Sequence, residues 1–376
     1  MAEAPPAPQP KKRRFGRLAL RLALASAAFL VLLELGFRAL LFHDLPGLQT
    51  MSIRLRSPAS FFTRYEPDFW TSSVLFTPEE RLKPVPGFDP LLGWCGSRVA
   101  AGTYEHKDEV ALLGRRPVLL FGDSFAECTT DPQECWQGLL NRSPLKTTHL
   151  LLNYGVGGYG LDQIYLLLRS SIDRFADRDP IVIVSVLVDD DLDRSLLPFR
   201  GWPKPRFHLD HGRLVEPEPV AASVEDYLAE HPPHVWSWAW SYVRHQQALR
   251  GGIAPEDDEP RRAEVRELSR AFLREIQREL DSRGVQWFFL IFQGESMLNK
   301  AGRDQLWQYP FLVETLRDLG IPFVSSREAI INHRKLTGTD PSLYFEAKGR
   351  AKGHFTPLGN EAVFPAILRG LEGQFD

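Results

Sequence analysis

Val118-Leu-Leu-Phe121-Gly122-Asp123-Ser124-Phe125 sets four apolar residues before a glycine, an acid and a serine. A short apolar run closed by a turn residue reads as a strand buried on both faces. The pattern recurs at residues 149–153, 181–188, 285–292 and 321–324. Helical patterns lie between these runs. Asp131-Pro-Gln-Glu134 opens one over 131–142, with an acid at the cap, proline at the first position and an acid three after the cap. Others span 161–175, 311–319 and 358–371. A charged one over 261–283 sets Val265, Leu268, Phe272 and Ile276 on one face. Five buried strands alternating with helices predict an α/β three-layer sandwich around a five-stranded parallel sheet. Its site is expected beyond the carboxyl ends of the strands.

The 376-residue chain is 43% apolar and 25% charged, which excludes a wholly disordered or collagen-like protein. Net charge is −3, yet residues 1–21 carry six Lys/Arg and one Glu, leaving the remainder at −8. A strongly basic nucleic-acid surface on the folded part is not expected. Cys95, Cys128 and Cys135 are too few for a disulfide scaffold and lack zinc spacing. In an exported protein Cys128 and Cys135 could bridge. Two separate buried thiols, or a pairing with Cys95, remain open at this level.

Residues 1–17 read as a disordered, basic N-terminal tail that is proline-rich at 4–10. Residues 18–41 follow as an apolar stretch interrupted by Arg21, Glu34 and Arg38. Its length suits a membrane span, with Arg21 and Arg38 near the ends and Glu34 four residues from Arg38. A cleaved signal peptide and a surface-lying amphipathic helix compete. No small-x-small cleavage pattern follows, so an uncleaved signal-anchor is the favoured reading. The preceding cations place the tail in the cytoplasm and the body outside it.

Residues 44–114 read as an irregular extension and 195–258 as an insertion, with a small hairpin at 206–215 turning at 210–212. Trp236, Trp238 and Trp240 read as an aromatic ligand platform or, at least twice as readily, as packing in a cap.

Three segments carry chemistry. Ser124 sits at a strand-to-helix turn, where its Oγ is exposed. Asn153-Tyr-Gly-Val-Gly-Gly158-Tyr-Gly has glycines that let backbone N–H groups approach a ligand. His354-Phe-Thr-Pro-Leu-Gly-Asn360 places a histidine before the last helix. In this order they resemble the SGNH/GDSL hydrolase superfamily over residues 115–372. The anchor, Asp89–Trp94 and Lys204-Pro-Arg-Phe resemble a bacterial membrane-anchored branch. The resemblance implies an SGNH/flavodoxin-like sheet, Ser124 as nucleophile, His354 as base, and oxyanion donors at Ser124, Gly158 and position 190. It implies no cofactor and no metal.

Two departures stand out. The third block, normally an Asn, falls on Asp190, with Asp189 as alternative. An ionised carboxylate cannot donate, so Asp190→Asn would restore a donor. The acid expected two or three residues before His354 is replaced by Lys352 and Ala351, leaving Glu346 and Asp340 as substitutes. The acidic run 189–193 also admits a calcium site, although a solvated strand end is favoured. The resulting expectation is a single-pass inner-membrane protein with a periplasmic ester hydrolase, deacetylase or O-acyltransferase domain acting on exported glycans or other esters. The competing expectation is an impaired SGNH-fold protein that binds glycan or serves assembly.

Overall fold

The computed structural model describes residues 12–63, 66–77, 85, 87–250, 259–298 and 307–375. Five parallel strands form the central sheet: β1 (Arg116–Gly122), β2 (His149–Gly155), β3 (Ile181–Leu187), β4 (Gln286–Phe292) and β5 (Phe323–Ser325). Their spatial order is β2-β1-β3-β4-β5. The order reverses between β1 and β3, the switch point where doubly wound sheets open a crevice. Alternate side chains of each strand bury on opposite faces. Leu119, Phe121, Val182 and Val184 pack with Leu166, Phe272 and Leu316 on one face. Val118, Leu120, Ile181 and Ile183 pack with Trp136, Ile330, Val363 and Ile367 on the other. Both faces are therefore covered, and the strands read as continuous apolar runs for that reason.

The helices Leu161–Ser171, Glu259–Ser282, Gln308–Asp318 and Pro357–Leu371 fall within a few residues of the predicted spans. The 131–142 pattern is helical only over Trp136–Leu140. Before it the Asp131 carbonyl accepts from the Glu134 and Cys135 N–H groups, closing a turn. Gly138 lies so close to Gln133 that a Cβ would stand 2.3 Å from its carbonyl oxygen, which leaves no room for a longer straight helix. Cys128 and Cys135 form a disulfide, and Cys95 is a buried free thiol. The hairpin is present as His208–Asp210 paired antiparallel with Arg213–Val215.

Among the described residues the chain divides into two compact units. The sheet and its helices belong to Glu79–Pro232 with Asp257–Asp376. The other unit joins Met1–Pro78 to Pro233–Glu256. Its first element is a helix over Lys12–Phe42, within which Leu18–Phe42 is a 25-residue stretch long and apolar enough to cross a membrane. The helix thus begins inside the segment read as a disordered tail, because Lys and Arg are good helix formers; residues 1–11, including the proline-rich 4–10, lie outside the described residues. Short helices at Gln49–Leu55 and Pro67–Leu75 and the helix Trp238–Arg250 complete this unit. Trp238 is its centre, packed edge-on against Phe61 at 5.4 Å and beside Phe42 and Phe76. Packing thus accounts for Trp238, whereas Trp236 and Trp240 are exposed.

Candidate active site

β1 ends at Gly122, where a Cβ would meet Ser185 Oγ at 2.1 Å and Ala126 Cβ at 2.6 Å. Only glycine lets the chain turn there. Asp123 is buried and caps the one-turn helix Ser124–Glu127 through Oδ1, which accepts the Phe125 N–H at 2.9 Å. Ser124 is left half-exposed at the strand's carboxyl end. Its Oγ lies 2.8 Å from His354 Nε2, across 230 positions of chain.

His354 is held by backbone. Its Nδ1 lies 3.2 Å from the Ala351 carbonyl, which accepts only if Nδ1 carries the proton. That tautomer turns the Nε2 lone pair towards Ser124. The imidazole stacks on Phe125, with centroids 5.0 Å apart. Neither substitute acid supports it. Asp340 is exposed and binds Ser342, and Glu346 meets His354 through backbone, its N–H donating to the His354 carbonyl at 2.8 Å. Lys352 is exposed, so water surrounds its charge. Asn360, in the helix after His354, ties that helix to the loop after Ser124–Glu127 by donating to Thr130 Oγ1 and the Glu134 carbonyl, each at 3.1 Å.

Gly157 and Gly158 follow β2. A Cβ on Gly157 would lie 3.8 Å from Ser124 Cβ, so this loop borders Ser124. Gly158 has φ +88°, a conformation glycine adopts at no steric cost. Among the described hydrogen bonds neither the Ser124 N–H nor the Gly158 N–H donates to a protein acceptor, whereas the Gly157 N–H is taken by Glu127 Oε2 at 2.8 Å. Burial raises the Glu127 carboxyl above its ordinary range. Trp94 donates from Nε1 to the Gly157 carbonyl at 3.3 Å, bringing the 89–94 segment onto this loop.

In the acidic run after β3, Asp190, Asp191 and Asp193 are held in ion pairs with arginines instead of standing free in solvent. Asp191 and Asp193 are fully buried. Asp191 Oδ1 accepts from Arg194 Nη1 at 2.5 Å, Asp123 Oδ2 lies 3.4 Å from the same nitrogen, and Asp190 pairs with Arg194 Nη2. Asp193 pairs with Arg261 at 2.5 Å and accepts from Gln308 at 2.8 Å. Among the described residues no three His, Cys, Asp or Glu side chains gather as a metal-binding group. Buried carboxylates need cations, and the local arginines supply them.

Asp190 is thus neutralised, and Arg200 Nη2 lies a further 3.8 Å from its Oδ2. The other end of that guanidinium reaches the second block. Arg200 Nη1 would stand 2.7 Å from a Cβ on Gly158, and it lies 3.5 Å from the Gly158 carbonyl. Burial and the charge of Arg194 lower Arg200 to about 10, which leaves it protonated at neutral pH. Lys204, fully buried, pairs with Asp162 and donates to the Arg194 and Leu197 carbonyls at 3.2 and 3.0 Å, fixing the 194–204 loop. Sequence reading did not single out Arg194 or Arg200. The signal was five positions, 189–193, holding four acids at the end of a buried strand.

No family model matches this sequence, and no curated protein matches it. Solved structures with similar folds include an α/β hydrolase enzyme from the metagenome of Lake Arreo, Spain (10% identity, 68% of this chain and 95% of that one, TM-score 0.40). An acetyl xylan esterase is 12% identical over 68% of this chain and 99% of its own, with TM-score 0.39. A lipolytic G-D-S-L family member from Veillonella parvula is 9% identical over 67% and 96%, with TM-score 0.34. At these scores the likenesses add no argument. The sheet order by itself shows a doubly wound α/β fold, with Ser124 and the Gly157–Gly158 loop following β1 and β2 and His354 brought to Ser124.

Proposed function

We propose that this chain is a membrane-anchored serine ester hydrolase or O-acyltransferase, acting on acyl esters of exported glycans or related substrates. One observation carries the reading: the 2.8 Å contact between His354 Nε2 and Ser124 Oγ. Ser124 Oγ adds to the carbonyl carbon while its proton passes to Nε2. The imidazolium keeps its Nδ1 hydrogen bond to a neutral carbonyl instead of a carboxylate, which stabilises the cation less. The oxyanion is received by the Ser124 and Gly158 N–H groups. Arg200 supplies the third donor that Asp190 cannot, and Asp190 positions it. Collapse expels the alcohol, which takes the proton from Nε2, and leaves acyl-Ser124. Water or a sugar hydroxyl then attacks, Nε2 receives its proton, and Ser124 recovers it as the acid or new ester departs.

The 25-residue apolar helix and the cations before it support anchoring with the body on the exported side. The test is reaction of the full chain with a fluorophosphonate serine probe, beside hydrolysis of short acyl esters. Labelling at Ser124 is expected, and Ser124→Ala should lose on the order of 10⁴-fold or more in kcat. A parent chain that neither labels at Ser124 nor exceeds the Ser124→Ala rate would defeat the catalytic reading and favour a glycan-binding component.

A further inference from the structure

The N-terminal unit holds a carboxylate where an apolar span should have none. Glu34 lies within Leu18–Phe42, two turns from its end. Arg38 Nε donates to it at 2.7 Å, and three further donors come from the start of the helix Trp238–Arg250. Ser237 Oγ donates to Oε2 at 2.8 Å, the Trp238 N–H to Oε1 at 3.1 Å and the Ala239 N–H to Oε2 at 3.1 Å. A carboxylate in an apolar span is costly unless paired, and here it is saturated by a helix start. The second helix is therefore held at the depth of Glu34 along the first.

Apolar surface surrounds this junction. Trp236 is 80% exposed and Trp240 52%. With Val243 they line a groove whose other wall is Leu30, Leu33 and Leu35. Its volume is about 590 Å³. The groove is continuous with the exposed side of a helix that buries none of its apolar window. Water is a poor occupant for such a surface, and a bilayer boundary suits it. Indole rings favour the headgroup level, where the ring is dehydrated and N–H stays wet.

We infer that Trp236 and Trp240, set on the start of the helix Trp238–Arg250, form a second membrane contact seated at the headgroup–acyl boundary beside the anchor. This rests on the anchored reading above. The occupant is lipid of the leaflet on the side where the helix's exposed apolar face gives way, from Glu34 to Leu41, to residues packed in the unit. The helix then lies in the interface, and Glu34 is the latch that holds it there.

The full chain reconstituted in phosphatidylcholine–phosphatidylglycerol vesicles tests this. Trp236→Phe/Trp240→Phe removes two exposed indoles without touching the Trp238 core, so the fold should survive. The emission lost in the double variant is the signal of these two residues. It should be quenched roughly two-fold or more by lipids brominated near the headgroup end of the acyl chain, and little by aqueous iodide. The reverse pattern, in protein that still sediments with vesicles after alkaline extraction, would overturn the inference and leave the anchor intact. A chain that fails to sediment would bring down the anchor and the inference together. If neither reagent quenches and Trp236→Cys chains cross-link between copies, a second copy covers the face and the lipid assignment is wrong.

Discussion

The α/β body and the N-terminal helical unit each remove carboxylates from water, in opposite ways. In the body Asp123, Asp190 and Asp191 converge on one guanidinium, that of Arg194. In the N-terminal unit one carboxylate, Glu34, gathers donors from two segments 203 positions apart. The first is a hub of charges in the frame beneath Ser124. The second is a single acceptor that joins pieces of chain otherwise held by the apolar cluster round Trp238. Removing the centre of a hub strands several buried charges, whereas removing the latch costs about one helix cap.

Variants can break or sharpen that contrast. Arg194→Met strips the shared guanidinium from Asp123, Asp190 and Asp191 around β1 and β3, leaving Asp190 to Arg200. It should destabilise the body by about 3–5 kcal/mol, read as a lower denaturant midpoint with Ser124 labelling lost. A loss below about 1 kcal/mol would show that the hub is not structural.

Arg200→Met should leave the midpoint nearly unchanged and lower kcat by about 10²–10³ for one lost oxyanion donor. Arg200→Lys should recover part of that. Asp190→Asn, which the family pattern presents as a repair, is expected to lower activity too, since it loosens Arg194 and Arg200. Higher activity in Asp190→Asn would return the donor role to position 190.

Glu34→Ala removes the acceptor from Ser237, Trp238 and Ala239. A cap is worth about 0.5–2 kcal/mol, so amide exchange at 238–242 should accelerate about 2- to 30-fold while exchange in β1–β4 stays unchanged. Equal acceleration in both units would mean that the latch also supports the body.

The smallest effect concerns pH. Burial raises the folded-state pKa of Glu127, so the native protein binds more protons than the unfolded chain between the two values. Stability from this group is complete below the unfolded pKa and is lost as pH rises through the folded one. Glu127→Gln keeps an acceptor for the Gly157 N–H and should be more stable than the parent at neutral pH. The difference should vanish near pH 4. A variant destabilised at both pH values would show that the charge itself holds the loop.

Much of the body was legible in sequence because β1 to β4 are apolar on both faces and need no partner to be recognised. The helix Ser326–Thr337 was not anticipated. It carries charge along most of its length, and Ile330 is its one deeply buried apolar side chain. The Ser124–His354 pairing followed from motif order, with Ser124 on the turn after β1 and His354 just ahead of the last helix. The backbone hydrogen bond from His354 to Ala351 left no trace in residue type, because any residue offers a carbonyl. Arg200 reaches Gly158 across 42 positions from a loop without periodicity. The N-terminal unit was least legible, being built from segments that neither repeat nor adjoin in the chain.

The latch also has a history within each molecule. A ribosome adds about 5–20 residues per second, so Ser237 follows Glu34, 203 positions earlier, by roughly 10–40 s. Throughout that interval the apolar helix has left the ribosome while its carboxylate has only Arg38 as partner, at 2.7 Å. On the anchored reading proposed above, Arg38 covers the charge during insertion and then shares it with the late-arriving segment. Replacing Arg38 should impair delivery of newly made chains more than it weakens the finished protein.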